Sequence, residues 1–113
     1  MVEPAYTYKA TVTRWVDGDT VDLRVDCGFH ITVEARFRLY GVDTPERGRA
    51  GYDTATRHNN TLAGPGTEVV ARTYKAPDKY GRFLADLWVA EVKVNDSLLA
   101  SGLAVPYFGG TKA

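Results

Sequence analysis

Residues 29–46 read Phe-His-Ile-Thr-Val-Glu-Ala-Arg-Phe-Arg-Leu-Tyr-Gly-Val-Asp-Thr-Pro-Glu. Up to Leu39, apolar and polar residues alternate, which predicts a strand with one buried and one solvated face, bent or bulged because of its length. The predicted buried face holds six residues: Phe29, Ile31, Val33, Ala35, Phe37 and Leu39. Arg38 falls on the polar face near the strand's end, and Gly41 and Pro45 then break regular structure. The strand therefore delivers a cation and two acids to one irregular turn.

The sequence before this stretch predicts two more strands in an antiparallel meander. Residues 6–16 are rich in Thr, Val and aromatic residues, and residues 21–25 alternate in polarity. Asp17-Gly18-Asp19 between them is typical of a hairpin turn, and Cys27-Gly28 turns the chain into the third strand. The short connections do not favour a mixed sheet with crossovers here.

The sequence after Glu46 predicts two helices and further strands. A helix is expected over residues 50–63, ended by Gly64-Pro65. Strands are expected at 67–74, 82–89 and 92–94, with a turn-rich loop at 77–81. Asn95 is predicted to cap a short helix that runs to Ala100.

About five strands, with one helix after the third and a short helix near the C-terminus, predict a mainly β (α+β) fold. The expected architecture is a five-stranded barrel of the oligonucleotide-binding (OB-fold) type, spanning 1–113 as a single domain. An open α+β sheet is the alternative.

Composition excludes several classes of protein. Fourteen Lys and Arg balance fourteen Asp and Glu, so a nucleic-acid partner would need a local basic site. The single Cys27 permits no internal disulfide. The N-terminus lacks a signal-peptide pattern and no apolar stretch approaches membrane-spanning length, so we expect a cytoplasmic chain with no membrane partner.

Three short motifs carry the chemistry: Asp17-Gly18-Asp19-Thr20, Arg38 with Asp43-Thr44-Pro45-Glu46, and Asp78-Lys79-Tyr80-Gly81-Arg82. Carboxylates with a backbone carbonyl and waters are ligands that calcium prefers. Two arginines can hold a phosphate and the charge that grows on it during attack. A further carboxylate could orient or deprotonate a water. Each motif alone is more typical of a turn, a helix cap or a surface charge, but together they point to phosphodiester hydrolysis.

In order and spacing, these motifs resemble those of the staphylococcal-nuclease-like (thermonuclease) domains, as do Val94-Asn95-Asp96 and Gly102-Leu103-Ala104 after them. The resemblance implies an OB-type barrel with helices that hydrolyses DNA and RNA using Ca²⁺. By motif position, the metal ligands would be Asp19, Asp43 and the carbonyl of Thr44. The catalytic residues would be Arg38 and Arg82, which bind the scissile phosphate, and Glu46, which orients or deprotonates the water. The substrate-binding residues would be Lys79, Tyr80 and Tyr107.

The alternative reading is an OB-fold module that binds nucleic acid or protein without catalysis. Family members of that kind have lost the acids and arginines of the motifs, whereas this chain has all of them, which counts against the alternative.

The chain departs from the family's founding member in a shorter, less basic insertion after Asp-Thr-Pro-Glu and in lacking a long C-terminal helix. Its ending resembles short phage-encoded versions of the domain. The shorter ending favours a weak homodimer over an independent monomer, with Tyr107 and Phe108 near the contact.

Overall fold

The computed structural model describes residues 2, 4–77 and 80–108, without the side chains of 75–77. Its elements in chain order are β1 (Thr7–Asp17), β2 (Thr20–Asp26), β3 (Thr32–Leu39), β4 (Val42–Asp43), α1 (Tyr52–Ala63), β5 (Glu68–Pro77), β6 (Phe83–Val89), β7 (Val92–Lys93), α2 (Val94–Ala100) and β8 (Val105–Pro106). Within these described ranges, neither helix is both long and apolar enough to cross a bilayer.

A closed barrel forms the centre of the fold. β1, β2 and β3 make the expected antiparallel meander, while β5 pairs with the other edge of β1 and β6 pairs with β5. β6 then runs parallel to β3, with Arg38 opposite Leu84, and this pair joins the ends of the order β3-β2-β1-β5-β6. Closure removes both free edges of the sheet. The OB-type barrel is confirmed, and the parallel pair makes the sheet mixed, which the alternation of the first three strands does not predict.

The predicted buried face of β3 is only half correct. Phe37 is 4% exposed and Leu39 is fully buried, but Phe29 is 93% exposed, and Ile31 and Val33 are also exposed. The parallel pairing with β6 covers only residues 37–39, so the β2–β3 hairpin extends beyond the barrel. Phe29 lies in the turn at a φ of 56°, and β3 begins at Thr32. The expected bulge is also misplaced, because the β2–β3 pairing is regular and the register shifts lie in β1 and β5.

Helix α1 follows the third barrel strand, as expected, and begins at Tyr52 rather than at residue 50. It ends at Ala63, before Gly64, as predicted. Its buried face consists of Ala55, Asn59 and Ala63. The indole Nε1 of Trp15 in β1 donates a hydrogen bond to the carbonyl of Ala63 at 2.9 Å, which fixes the end of the helix on the barrel.

Asn95 does not cap helix α2, which corrects the prediction from sequence. The helix begins at Val94, and the Asn95 side chain, 2% exposed, points into the barrel wall instead. Its Oδ1 accepts from the Leu87 N–H at 3.0 Å, and its Nδ2 donates to the carbonyls of Tyr40 at 2.9 Å and Ala85 at 3.2 Å. Asn95 therefore ties β6 to the segment that follows β3.

We expect Asn95→Ala to lower the free energy of unfolding by about 2–4 kcal/mol, because it leaves buried backbone groups without partners. Asn60→Ala is the matched control, since Asn60 is exposed and makes one bond to the Thr56 carbonyl. Urea unfolding of both variants measures the difference. Equal midpoints would show that water replaces the Asn95 amide without cost.

A second polar cluster lies on β5, β6 and β7. The Tyr74 hydroxyl donates to Asp86 Oδ2 at 2.9 Å, and Lys93 Nζ lies 3.6 Å from Asp86 Oδ1. The Tyr74 ring packs on the Tyr40 ring, with centroids 4.6 Å apart. Burial raises the pKa of Tyr74 to about 12, with the hydrogen bond and the charge of Asp86 adding to the effect.

Asp86→Asn should lower the pKa of Tyr74 toward its usual value near 10, because the acceptor loses its charge while the burial remains. In the wild type, the folded pKa exceeds the unfolded one, so the stability that this pair contributes is complete below pH 10 and is lost as the pH rises toward 12. Tyrosinate absorbance against pH measures the shift, with Tyr74→Phe identifying the signal. If Tyr74 titrates at the same pH in Asp86→Asn, Asp86 does not contribute to its raised pKa.

Candidate functional site

The three motifs meet in one cleft of about 630 Å³, which we call the acidic cleft. Its lining residues are Asp17, Asp19, Arg38, Tyr40, Gly41, Asp43, Thr44, Pro45, Glu46, Tyr80, Arg82, Leu84, Tyr107 and Phe108. Every residue expected at the site from the sequence lines this cleft except Lys79, which lies outside the described residues. The volume is in the range of small-molecule binding sites.

Strand pairing positions the charged groups. Arg38 on β3 lies opposite Thr20 on β2 and opposite Leu84 on β6, so it occupies the middle of three adjacent strands. Asp19 comes just before β2, and Arg82 comes just before β6. Barrel closure therefore brings the end of β3 next to the starts of β2 and β6, and with them the two arginines and the first acid.

Arg38 lies between two carboxylates and is only 9% exposed. Its Nη2 is 3.6 Å from Asp19 Oδ2 and 3.3 Å from Asp43 Oδ1, and its Nη1 donates to the Leu39 carbonyl at 3.2 Å. The face that the alternation assigns to solvent is therefore covered at this position. A buried guanidinium needs such partners, because an unpaired one would be strongly destabilising. One guanidinium nitrogen therefore holds an oxygen of each acid within 4 Å of itself.

Thr20 links the two arginine sites and was not predicted to have a role of its own. Its hydroxyl donates to Asp19 Oδ1 at 3.1 Å and accepts from Arg82 Nη1 at 3.4 Å. The guanidinium of Arg82 also lies 5.2 Å from the centre of the Tyr80 ring. The signal in the sequence is the position of Thr20 directly after Asp19 in the first motif.

The turn that carries Asp19 is held from beneath by α1. Asn59 Nδ2 donates to the Gly18 carbonyl at 2.7 Å, and the Thr44 N–H donates to Asp19 Oδ2 at 3.2 Å. A Cβ on Gly18 would lie 2.6 Å from Thr44 Oγ1 and 2.8 Å from Ala55 Cβ, so only glycine allows this approach. Asn59 was not predicted as a site residue; its signal is a polar residue four positions from Ala55 on the helix face that packs on the barrel.

The lining of the cleft includes four acids and two arginines. Burial raises the pKa of Asp19, and the neighbouring Asp17 raises it further, while Arg38 and the Thr44 N–H act in the opposite direction. Among the described residues, no cluster of three or more His, Cys, Asp or Glu side chains is arranged to hold a metal ion. Two carboxylates and the Thr44 carbonyl nevertheless suit a hard cation that keeps several waters.

Aromatic rings form the opposite wall of the cleft. The rings of Tyr40 and Phe108 meet edge to face with centroids 5.5 Å apart, and the Tyr107 N–H donates to the Gly41 carbonyl at 3.0 Å. Gly41 has a φ of 77°, and a Cβ there would lie 3.0 Å from the Phe108 ring. Tyr107 lines the cleft as expected, but its ring also packs on Arg38, 5.1 Å from the guanidinium carbon. The sequence did not predict Tyr40 and Phe108 as site residues, although each is close in sequence to a predicted one.

Nothing in the cleft bears on the weak homodimer, which stays a prediction.

Glu46 lies at the rim of the cleft, exposed, three residues after Asp43. Pro45 fixes the backbone before it, and the Arg49 N–H donates to the Glu46 carbonyl at 2.9 Å. Glu46 therefore lies on a hydrogen-bonded turn close to Asp43 and is separate from the two acids that pair with Arg38.

Comparison with known proteins gives one family. The model of the staphylococcal nuclease homologue family matches residues 36–112. The thermonuclease of Staphylococcus hyicus is 32% identical over 110 residues, which cover 87% of this chain and 57% of that protein. Protein ParB of Escherichia coli is 34% identical over 95 residues, covering 79% and 47%, and the thermonuclease of Staphylococcus intermedius is 32% identical over 105 residues, covering 82% and 56%. The chain thus spans about half the length of the curated relatives it matches. Because the family model covers more than half of the sequence and the barrel agrees with it, the chain belongs to the staphylococcal nuclease homologue family.

Proposed function

We propose that this chain is a calcium-dependent nuclease that hydrolyses phosphodiester bonds in DNA, RNA or both. The observation that supports it best is the meeting of Arg38, Arg82 and Glu46 with the Asp19–Asp43 pair in one cleft. Two of the relatives carry the name thermonuclease, which supports the same activity.

The two arginines are proposed to bind the scissile phosphate. Guanidinium groups donate paired, charge-assisted hydrogen bonds to phosphate oxygens. These bonds strengthen as negative charge grows on the oxygens during attack, so they lower the barrier rather than only improving binding. Arg82 approaches from the start of β6 and Arg38 from the end of β3, so the phosphate would lie between them.

Asp19, Asp43 and the Thr44 carbonyl are proposed to hold calcium, which when bound would supply positive charge next to the phosphate and the attacking water. The remaining coordination positions would be filled by water and by the substrate. Arg38, which contacts both acids, keeps their oxygens facing the cleft.

Glu46 is proposed to orient the attacking water or to accept its proton. As the water oxygen bonds to phosphorus, the bond from phosphorus to the leaving sugar oxygen breaks, and that oxygen takes a proton from solvent. Tyr80, Lys79 and Tyr107 are proposed to contact the bound nucleotide, with the aromatic wall stacking against its base. An unpaired strand suits this wall, because its bases are free to stack.

Cleavage of single-stranded DNA should require a divalent metal, favour calcium over magnesium, and be abolished in Asp43→Ala. The fold should remain, because Arg38 keeps the Asp19 carboxylate and the Leu39 carbonyl as partners. Two carboxylates and a carbonyl make a flexible oxygen site that suits the larger shell of calcium. Asp53→Ala is the control, since Asp53 is an exposed acid on α1 outside the cleft. Gel assays with each metal and with excess chelator measure the effect, and circular dichroism checks the fold. Undiminished cleavage in chelator would reject the calcium mechanism, and metal-dependent binding without cleavage would favour the non-catalytic module.

Arg82→Lys should lower kcat by about 10²- to 10³-fold with a smaller change in KM, because lysine lacks the planar fork that matches the phosphate oxygens. Arg57→Lys is the control on the exposed face of α1. Steady-state kinetics on an oligonucleotide separate the two constants. Near-full turnover in Arg82→Lys would reduce Arg82 to a charge that only attracts the substrate.

A further inference from the structure

A second cleft of about 380 Å³ adjoins the acidic cleft on the other side of residues 43–46. Asp43, Thr44, Pro45 and Glu46 line both clefts, so these four residues form a ridge between them. The rest of the second cleft is lined by Arg49 and by residues 102–105. None of the roles described so far uses this cleft.

Main-chain hydrogen bonds fix the wall of the second cleft. Helix α2 ends in a left-handed turn at Gly102, which has a φ of 76°, and the Leu103 N–H donates to the Leu98 carbonyl at 3.0 Å. The chain then enters β8, where Val105 pairs with Asp43 of β4. Cross-strand partners point to the same face of a sheet, so the Val105 side chain lies next to the Asp43 carboxylate.

The chemistry of the second cleft differs from that of the acidic cleft. Its floor is aliphatic, from Pro45, Leu103 and Val105, with Val105 61% exposed and no aromatic ring among the lining residues. Arg49 is exposed at its edge, and its side chain makes no ion pair or hydrogen bond with any residue in the described part of the chain. The Arg49 backbone is anchored by its N–H to the Glu46 carbonyl at 2.9 Å and by its carbonyl, which accepts from the Tyr52 N–H at 3.2 Å.

We propose that the second cleft binds the nucleotide on the far side of the cleaved bond, with its sugar against Val105 and Leu103 and its next phosphate at Arg49. This inference rests on the proposed nuclease function. Because the two clefts share the ridge, a strand with its scissile phosphate at Arg38 and its base on the aromatic wall can continue across the ridge into the second cleft. Asp43 and Glu46 repel a phosphate there, so the strand needs a cation beyond them, and Arg49 supplies it.

Two consequences follow for the substrate. Because the strand is held on both sides of the scissile phosphate, a substrate with a nucleoside on only one side should be cleaved less efficiently. Because the second cleft has aliphatic contacts and no ring to stack on, the identity of the base on that side has little influence. Base preference then comes from the aromatic wall of the acidic cleft.

The test compares kcat/KM in calcium for a thymidine trinucleotide and for the 3′ and 5′ 4-nitrophenyl phosphodiesters of thymidine, which carry a nucleoside on only one side of the phosphate. Arg49→Ala should lower the value for the trinucleotide about 10-fold and spare the ester whose nucleoside occupies the acidic cleft. It should also reduce the slope of log kcat/KM against log salt for the trinucleotide, because one charge contact is lost. Arg57→Ala is the matched control, an exposed arginine on α1 that lines neither cleft.

Val105→Trp is a second variant, which should block the second cleft sterically and reproduce the loss on the trinucleotide without changing the salt slope. Equal losses on the trinucleotide and both esters, or equal effects of Arg49→Ala and Arg57→Ala, would overturn the second cleft as a binding site. If the wild type cleaves an ester and Arg49→Ala leaves trinucleotide cleavage unchanged, the second cleft fails and the nuclease function stands. If the wild type cleaves none of the three in calcium, the proposed function fails and this inference fails with it.

Discussion

The buried ion pairs of Arg38 with Asp19 and Asp43 are the constraint on which the rest of the structure depends. A charge buried this deeply is tolerated only when its partners are held in place. The partners come from the start of β2 and from β4, so the hairpin turn, the end of β3 and the turn at Gly41 must meet at one point. The parallel pairing of β3 with β6 fixes that point in the barrel wall. Barrel closure and the construction of the site are therefore one structural requirement.

The same ion pairs explain why a cation and a phosphate would bind together. Two carboxylates outweigh one guanidinium, and Asp17 and Glu46 add further negative charge around the cleft. A phosphodiester anion entering this site alone would meet net repulsion, despite the presence of Arg82. Four acids and two arginines leave a formal charge of −2 in the cleft, which one divalent cation would cancel, so that both arginines could act on the phosphate. In the proposed function, the requirement for metal therefore begins with electrostatics at the binding step.

The strand pattern of the sequence predicts which residues share a face but not which other element covers that face. Phe37 and Leu39 are buried as predicted because β6 lies beside them. Phe29 belongs to the same alternating set of apolar residues but is exposed at the hairpin tip. Arg38 shows the converse: it alternates with the polar residues of β3 but is buried beside Asp43, which follows the strand, and Asp19, which precedes β2. Asn95 has the residue type of a helix cap, yet three backbone groups of other segments take its amide. Each error concerns tertiary contacts that have no local signal in the sequence: Arg38 and Asn95 make contacts that were not predicted, and Phe29 does not make the one that was.

The site was predicted better than its supports, and Asn59 shows the physical reason. Asp19 and Asp43 stand in motifs that resemble those of the staphylococcal-nuclease-like domains, so the sequence points to them directly. Asn59 acts through a single bond to the Gly18 carbonyl, 41 positions away in sequence. It is fully buried, where a polar side chain costs more free energy than an apolar one of similar size. An aliphatic residue would fill the same helix face without that cost but would release the turn that carries Asp19. The polar residue is therefore best explained by the position of the carboxylate it supports rather than by the stability of the helix.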